Sequence, residues 1–294
     1  MLVNNKVLDE DKVMVIIRDI RRKKELKELN EEFIREHLFK YLQQETKITN
    51  SLVKNFNQKS AYYKKVIKEV RARLRRLYGL FRIEEDSDNR RELVDELVQS
   101  SKNKRKEIIE KILKTHSSTK ERLKCYEKLY HKMFSLTGKP KSIIDLGCGI
   151  NPFSISLMKL KKLKYYAYDL SIEEIEGLNR YFKLLHKENK SFIGKAGILD
   201  VMNWVKLSKH EVMDICLLFK MTDVLDKGKG HKATETVMKK VPARYVVVSF
   251  PTKTMSGKKM NFPRRKWIEL MCERLRYKFK IIKFSNEIFY VVEK

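Results

Sequence analysis

The chain has 294 residues, with 66 Lys and Arg against 38 Asp and Glu, a formal net charge of +28. That length can bury a real core in one large or two modest domains, and fourteen Phe with thirteen Tyr exclude a wholly disordered basic protein. No apolar run reaches the roughly 18 residues of a membrane span and no secretory signal is visible, so the expectation is a cytoplasmic protein with a polyanionic partner, nucleic acid before a membrane surface. In chain order, the first stretch reads as helical through about Leu136. Val13, Ile16, Ile17 and Ile20 recur at helical spacing, as do Phe33, Ile34, Leu38 and Tyr41. Val66, Ile67, Val70, Leu74 and Leu77 form another stripe, ended by Gly79. Glu84–Asn89 reads as a polar loop, and further helical stripes run over Leu93–Val98 and Ile108–Leu113. Between Lys54 and Arg82 there are ten Lys or Arg and a single acid, Glu69.

After Gly138-Lys139-Pro140 the texture changes to short β-rich runs that alternate with helical stretches. Strands are expected at Ser142–Leu146, Tyr165–Tyr168, Asp214–Phe219 and Tyr245–Phe250, with a weak one at Phe192–Ile193. Two last strands, Phe279–Phe284 and Ile288–Val292, lie too close together for a helical crossover and must form an antiparallel hairpin. The implied fold class is α/β, a parallel sheet ending in an antiparallel hairpin and preceded by a helical N-terminal domain, and such a sheet resembles the Rossmann-like one of class I S-adenosylmethionine-dependent methyltransferases. A fold does not carry a function, so the site must.

The most informative segment is Ser142-Ile143-Ile144-Asp145-Leu146-Gly147-Cys148-Gly149-Ile150-Asn151-Pro152-Phe153. An apolar strand runs into an acid, then Gly-Cys-Gly, then an expected helix. Glycines there allow a tight turn and close ligand approach at the carboxyl end of the first strand. A dinucleotide fingerprint would place a third glycine where Pro152 stands, which argues against a pyrophosphate on the helix terminus. Asp145, Gly147 and Gly149 instead follow the D-x-G-x-G pattern of an S-adenosylmethionine turn. Asp169 ends the next strand 24 residues after Asp145, near the spacing at which a carboxylate meets both hydroxyls of a ribose. Asp200 reads equally as an adenine contact and as a helix N-cap.

Two further segments flank that turn, His116-Ser117-Ser118-Thr119-Lys120-Glu121-Arg122 before it and Ser249-Phe250-Pro251-Thr252-Lys253-Thr254-Met255-Ser256-Gly257-Lys258-Lys259 after the fifth strand. With the turn, they resemble the Arm/Rmt family of aminoglycoside-resistance 16S rRNA (guanine-N7) methyltransferases, whose members carry H-x-S-T-x-E-R, G-C-G-x-N-P and S-F-P-x-K-S-x-x-G elements. The resemblance covers roughly Lys68 to Lys294, and residues 1 to about 60 look longer and more diverged than the family's usual N-terminus. It implies methylation of guanine N7 in the decoding-site helix of 16S rRNA within the 30S subunit, and aminoglycoside resistance if expressed in a susceptible bacterium. It also implies that S-adenosyl-L-methionine is the cofactor. His116, Ser117, Ser118 and Arg122 would lie at its methionine end, with Arg122 pairing the carboxylate. Gly147 would flank the methionyl part, Asp169 the ribose, and Leu199 with Asp200 the adenine. Leu218 would line the pocket and Phe81 would close over the cofactor. The family tends to place Gln where this chain has Lys227.

Under this reading residues 1–115 form a basic, rRNA-docking helical domain and 116–294 the methyltransferase domain of a monomer. Lys64, Lys65, Lys68, Arg71, Arg75 and Arg76 on the first, with Lys253, Lys258 and Lys259 beside the site, would meet RNA phosphates. They form one RNA footprint if they share a face. No residue is singled out as catalytic, because guanine N7 offers a lone pair without deprotonation and positioning is the main task. The four cysteines (125, 148, 216, 272) are scattered and read as reduced thiols, Cys148 as a space-filler and Cys216 as core. His37, His131, His186, His210 and His231 form no cluster with cysteines or paired carboxylates, so no metal is expected, and no membrane partner. Trp267 has the helical spacing of a core aromatic rather than a base-stacking one. Two alternatives stay open: the same fold and cofactor acting on another RNA base, and a non-catalytic RNA-binding or ribosome-assembly factor.

Overall fold

A computed structural model of the chain describes residues 1–78, 87–203, 207–226, 230–254 and 257–294, the side chains of 76–78 and 87–88 excepted. It divides into two compact units, Met1–Glu84 with Leu170–Ile172, and Glu85–Asp169 with Glu173–Lys294.

The first unit opens with a hairpin of two short strands, β1 (Leu2–Val3) and β2 (Lys6–Val7). The helical periodicity did not announce it. Its signal is Asn4-Asn5, both at positive φ (50° and 60°), the hand a two-residue hairpin turn requires and one that Asn tolerates. Four helices follow: α1 (Glu10–Arg21), α2 (Glu31–Gln44), α3 (Thr46–Lys54) and α4 (Ala61–Tyr78). The Asn30 side chain accepts the Phe33 N–H and so caps α2. The stripes read from sequence meet in one core, with Val13, Ile16 and Ile20 of α1 against Ile34 and Leu38 of α2 and Val66, Val70 and Leu74 of α4. Residues 170–172 join this unit through backbone pairing: Asn30 N–H donates to the Leu170 carbonyl and Ile172 N–H to that of Glu28, both at 3.1 Å.

The second unit begins with α5 (Ser87–Gln99), α6 (Arg105–Lys114), α7 (Ser117–Arg122) and α8 (Tyr126–Thr137). The compact boundary thus falls before α5, whereas the sequence reading set it after residue 115. The reason is packing. Val94, Leu97, Ile108 and Ile112 of α5 and α6 join the cluster on one face of the sheet. Buried Arg90 ties the pair down, donating to Glu174 at 2.9 Å and to the Thr115 hydroxyl at 2.8 Å. Ser87–Asn89, expected in a loop, already belongs to α5.

The sheet comprises β3 (Ser142–Leu146), β4 (Leu163–Asp169), β5 (Phe192–Ile198), β6 (Met213–Phe219), β7 (Ala243–Pro251), β8 (Lys278–Lys283) and β9 (Glu287–Glu293), in the order β5-β4-β3-β6-β7-β9-β8. The first five are parallel and the last two complete the expected antiparallel hairpin. This is a class I methyltransferase sheet. β5 is longer than its faint sequence signal because Gly194 breaks the apolar run. A Cβ there would sit 2.7 Å from the rings of Phe182 and Phe192, so only glycine lets that packing close. Alternate side chains feed two clusters, Ile143, Tyr165, Leu217 and Phe289 on one face, and Ile144, Leu146, Leu218 and Val248 on the other. Helices α9 (Ile172–Glu188), α10 (Thr222–Asp226), α11 (Lys232–Lys240) and α12 (Lys266–Leu275) complete the unit. The segment after the glycine turn is the expected helix, of 3-10 type over Asn151–Met158, with Pro152 in its first turn. Trp267 packs against the second cluster, edge-on to Phe250.

Candidate functional site

The carboxyl ends of the parallel strands share one edge, with Leu146 level with Tyr168, Asp169 with Ile198 and Phe219 with Ser249. Open α/β sheets bind ligands at this edge. There the chain turns through Gly147 (φ 63°) and Gly149 (φ 47°), a left-handed conformation that side chains resist. A Cβ on Gly147 would fall 2.2 Å from the Met221 sulfur, whereas one on Gly149 would meet nothing nearer than His116 Nε2 at 3.9 Å. Gly149 therefore presents bare backbone. Its N–H donates to Asp169 Oδ2 at 2.8 Å, which places the second acid against the turn.

Asp145 behaves differently. It is buried, and its Oδ2 accepts from Asn151 Nδ2 at 2.9 Å and from the Tyr165 hydroxyl at 2.7 Å. Burial pushes its carboxyl up to about 6, against the lowering pull of those two donors and of Arg122. Asp145 thus secures the turn from beneath.

His116 precedes α7, and its Nδ1 lies 2.9 Å from the Ser118 hydroxyl, which orients the ring. Both residues and Ser117 are partly exposed. Arg122, expected to face a ligand carboxylate, is instead buried and committed to protein partners. Its Nε donates to Glu287 Oε2 at 2.9 Å and its Nη1 to Asn151 Oδ1 at 3.4 Å, with the guanidinium over the Phe219 ring at 4.8 Å. The Glu287 carboxylate, wholly buried, raises the guanidinium's affinity for its proton despite the burial that opposes it. Glu287 also accepts from the Ser249 hydroxyl, and Ser249 Oγ accepts the Lys220 N–H at 3.0 Å. Lys220 itself holds φ 55°, and its ammonium pairs with Glu121 at 2.5 Å. Sequence reading missed both Glu287 and Lys220. The visible clue was a charge opening the apolar strand Ile288–Val292.

Leu199 is buried beside the edge, and partly exposed Asp200 accepts the Met202 N–H at 2.9 Å within a turn, not at the start of a helix. Leu218 is fully buried in the second cluster and presents no surface to a ligand. Phe81 and Lys227 lie outside the described residues. Burial pushes the thiols of Cys148 and Cys216 well above their ordinary values, so neither is a ready thiolate. Among the described residues no three His, Cys, Asp or Glu side chains are grouped to hold a metal, and no helix is long and apolar enough to cross a membrane.

The cationic candidates separate by what they touch. Lys64, Lys65 and Lys68 are exposed on α4, with Lys65 3.8 Å from Glu45, and Arg75 pairs with Glu25 at 2.9 Å. Arg71 is spent on structure, its guanidinium donating to the Asp19 and Ile20 carbonyls at the end of α1. The Arg76 side chain lies outside the described residues. Lys253, Lys258 and Lys259 are exposed on a small antiparallel excursion, where Lys253 bridges Lys259 and Thr254 N–H donates to the Lys258 carbonyl at 2.8 Å.

The donor set suits an adenosine cofactor with a methionyl arm: a carboxylate at the end of β4 for a ribose diol, bare backbone at Gly149, and apolar Leu199 at the end of β5. Comparison with known proteins agrees. The family model described as ribosomal RNA methyltransferase (FmrO) matches residues 48–291. A 16S rRNA (guanine(1405)-N(7))-methyltransferase of Proteus mirabilis is 28% identical over 247 residues, spanning 79% of this chain and 85% of that protein. The structure of the 16S rRNA methyltransferase RmtF in complex with S-adenosyl-L-homocysteine superposes with a TM-score of 0.73 over 98% of this chain and all of that one, at 20% identity. That of the 16S rRNA methylase ArmA gives 0.52 over 68% of this chain and 97% of that one, at 26% identity.

Proposed function

This chain belongs to the ribosomal RNA methyltransferase (FmrO) family, and from that premise we propose that it methylates N7 of a guanine in the decoding-site helix of 16S rRNA, acting as a monomer on the 30S subunit. The observation that carries the reading is the Asp169 carboxylate lying on the Gly149 amide at 2.8 Å, at the ligand-binding edge of a class I methyltransferase sheet. When bound, S-adenosyl-L-methionine supplies an electrophilic methyl group on a sulfonium sulfur. Asp169 would accept the ribose hydroxyls, Gly149 would let the cofactor approach bare backbone, and Leu199 with Asp200 would flank the adenine. His116, Ser117 and Ser118 would stand at the methionyl end, and Arg122 holds Asn151 and Glu287 in place.

Guanine N7 has an in-plane lone pair, so the chain has no proton to remove before transfer and needs no general base. Its task is to align the two reactants and exclude alternatives. The raised thiols of Cys148 and Cys216 are consistent with a route that uses no cysteine nucleophile. Exposed Lys253, Lys258 and Lys259 neutralise backbone phosphates around the target.

The test is incubation of 30S subunits from a susceptible bacterium with radiolabelled S-adenosyl-L-methionine, followed by borohydride and aniline treatment and primer extension. Cleavage at one decoding-helix guanine is expected, and expression in that host should confer aminoglycoside resistance. Label elsewhere in the RNA would move the target while keeping the enzyme. Cofactor binding without any RNA methylation would favour a non-catalytic ribosome-assembly role.

A further inference from the structure

Among the described residues Phe262 is the most exposed large apolar side chain, at 87%. It sits on the segment that follows the Lys253–Lys259 excursion, where water should discourage a phenyl ring and where three exposed lysines already collect positive charge. The segment carrying it is fixed to an unusual degree for a surface loop. Arg265 Nη1 donates to the carbonyls of Phe262 (3.3 Å) and Pro263 (3.1 Å), and its Nη2 to that of Pro251 (3.3 Å) at the end of β7. Its guanidinium lies 5.4 Å from the Phe250 ring centroid, and its backbone N–H donates to the Tyr290 hydroxyl of β9 at 2.8 Å. One side chain thereby closes both ends of the loop onto the sheet. A planar fork with several donors can do this, and an ammonium cannot.

Resting on the methyltransferase reading above, we infer that Arg265 is a positioning residue: it ties residues 262–263 to the end of β7 so that Phe262 stands out as a stacking platform for a nucleobase of the rRNA substrate. The flanking lysines select a polyanion, and an aromatic face accepts any base. Fixing the platform in advance removes the ordering cost from the moment of alignment.

The experiment compares 30S methylation by wild type, Phe262→Ala, Phe262→Tyr, Arg265→Ala, Arg265→Lys and the double alanine variant, with cofactor Kd and unfolding midpoint measured for each. Phe262→Ala should lower kcat about ten- to a hundredfold, the range of one lost base stack, with cofactor Kd unchanged, and Phe262→Tyr should restore it. Both Arg265 variants should lose kcat similarly, and the double alanine variant should be no slower than the slower single, because both residues act through one element. Wild-type kcat in Phe262→Ala overturns the inference even if the Arg265 variants fold poorly. So does simple multiplication of the two defects. A wild-type enzyme that binds cofactor but leaves 30S unlabelled overturns the methyltransferase reading instead, and this inference with it.

Discussion

Two parts of the second unit serve the proposed reaction and are built on opposite principles. Beneath the glycine turn, Asp145, Asn151, Tyr165, Arg122, Glu287 and Ser249 form a buried polar network in which ionised groups have assigned partners. Around residues 251–254 and 257–265, the cations at 253, 258 and 259 stand in water and the chain is held by backbone pairing and one arginine. Removing a partner inside a low-dielectric network strands a charge, whereas removing a solvated lysine loses only a screened attraction. The first region should be sensitive to loss of a single charged partner, and the second should accept exchange among like charges.

The largest expected effect tests the buried side. Glu287→Ala leaves Arg122 charged and unpaired in the interior, so stability should fall by about 3–5 kcal/mol in urea titration, while Arg122→Met with Glu287→Leu should recover much of that loss. A Glu287→Ala protein as stable as wild type would erase the contrast between the two regions.

Asp145 offers a pH test of the same network. Its carboxyl lies near 6 in the fold against an ordinary 3.8, so the native state holds a proton that the unfolded chain has released between those values. Stability should therefore fall as pH rises from about 4 to 6 and level off above, by about 3 kcal/mol in all. Asp145→Asn keeps both hydrogen-bond donors satisfied and should flatten that slope. A slope unchanged in the variant would mean another group is responsible.

Asp169→Ala should weaken cofactor binding about a hundredfold in calorimetry, the worth of a charge-assisted hydrogen-bonded contact, with little change in unfolding. The smallest effect belongs to the basic loop. Replacing Lys253, Lys258 or Lys259 singly with Gln should weaken 30S binding a few-fold, lower the salt dependence by about one phosphate contact each, and spare cofactor affinity. A single lysine change that abolished binding would show that the loop is specified as tightly as the network.

These contrasts also explain what could be read in advance. The order of elements along the chain, the closing hairpin, the helical stripes and the glycine turn are written in local spacing, as is the place of Asp169 at the end of β4. The β1–β2 hairpin escaped because Asn4-Asn5 is a two-residue signal inside a helical background. Arg71 looked like an RNA contact because its neighbours are lysines and arginines, and only the position of α1's carboxyl end shows where its donors go.

Arg122 is the plainest case. The motif around it marks a site residue, but its partner Glu287 is 165 positions away, and no periodicity connects them. The same holds for Arg265 and Tyr290, whose hydrogen bond joins a helix start to β9 across 25 residues. By itself the amino-acid sequence determined the fold class, the glycine turn and the excess of positive charge, since each follows from short-range patterning or summed charge. Tertiary structure alone decided which charged groups are buried, which are paired and which remain for a ligand, because desolvation depends on everything packed around a group and not on its neighbours in the chain.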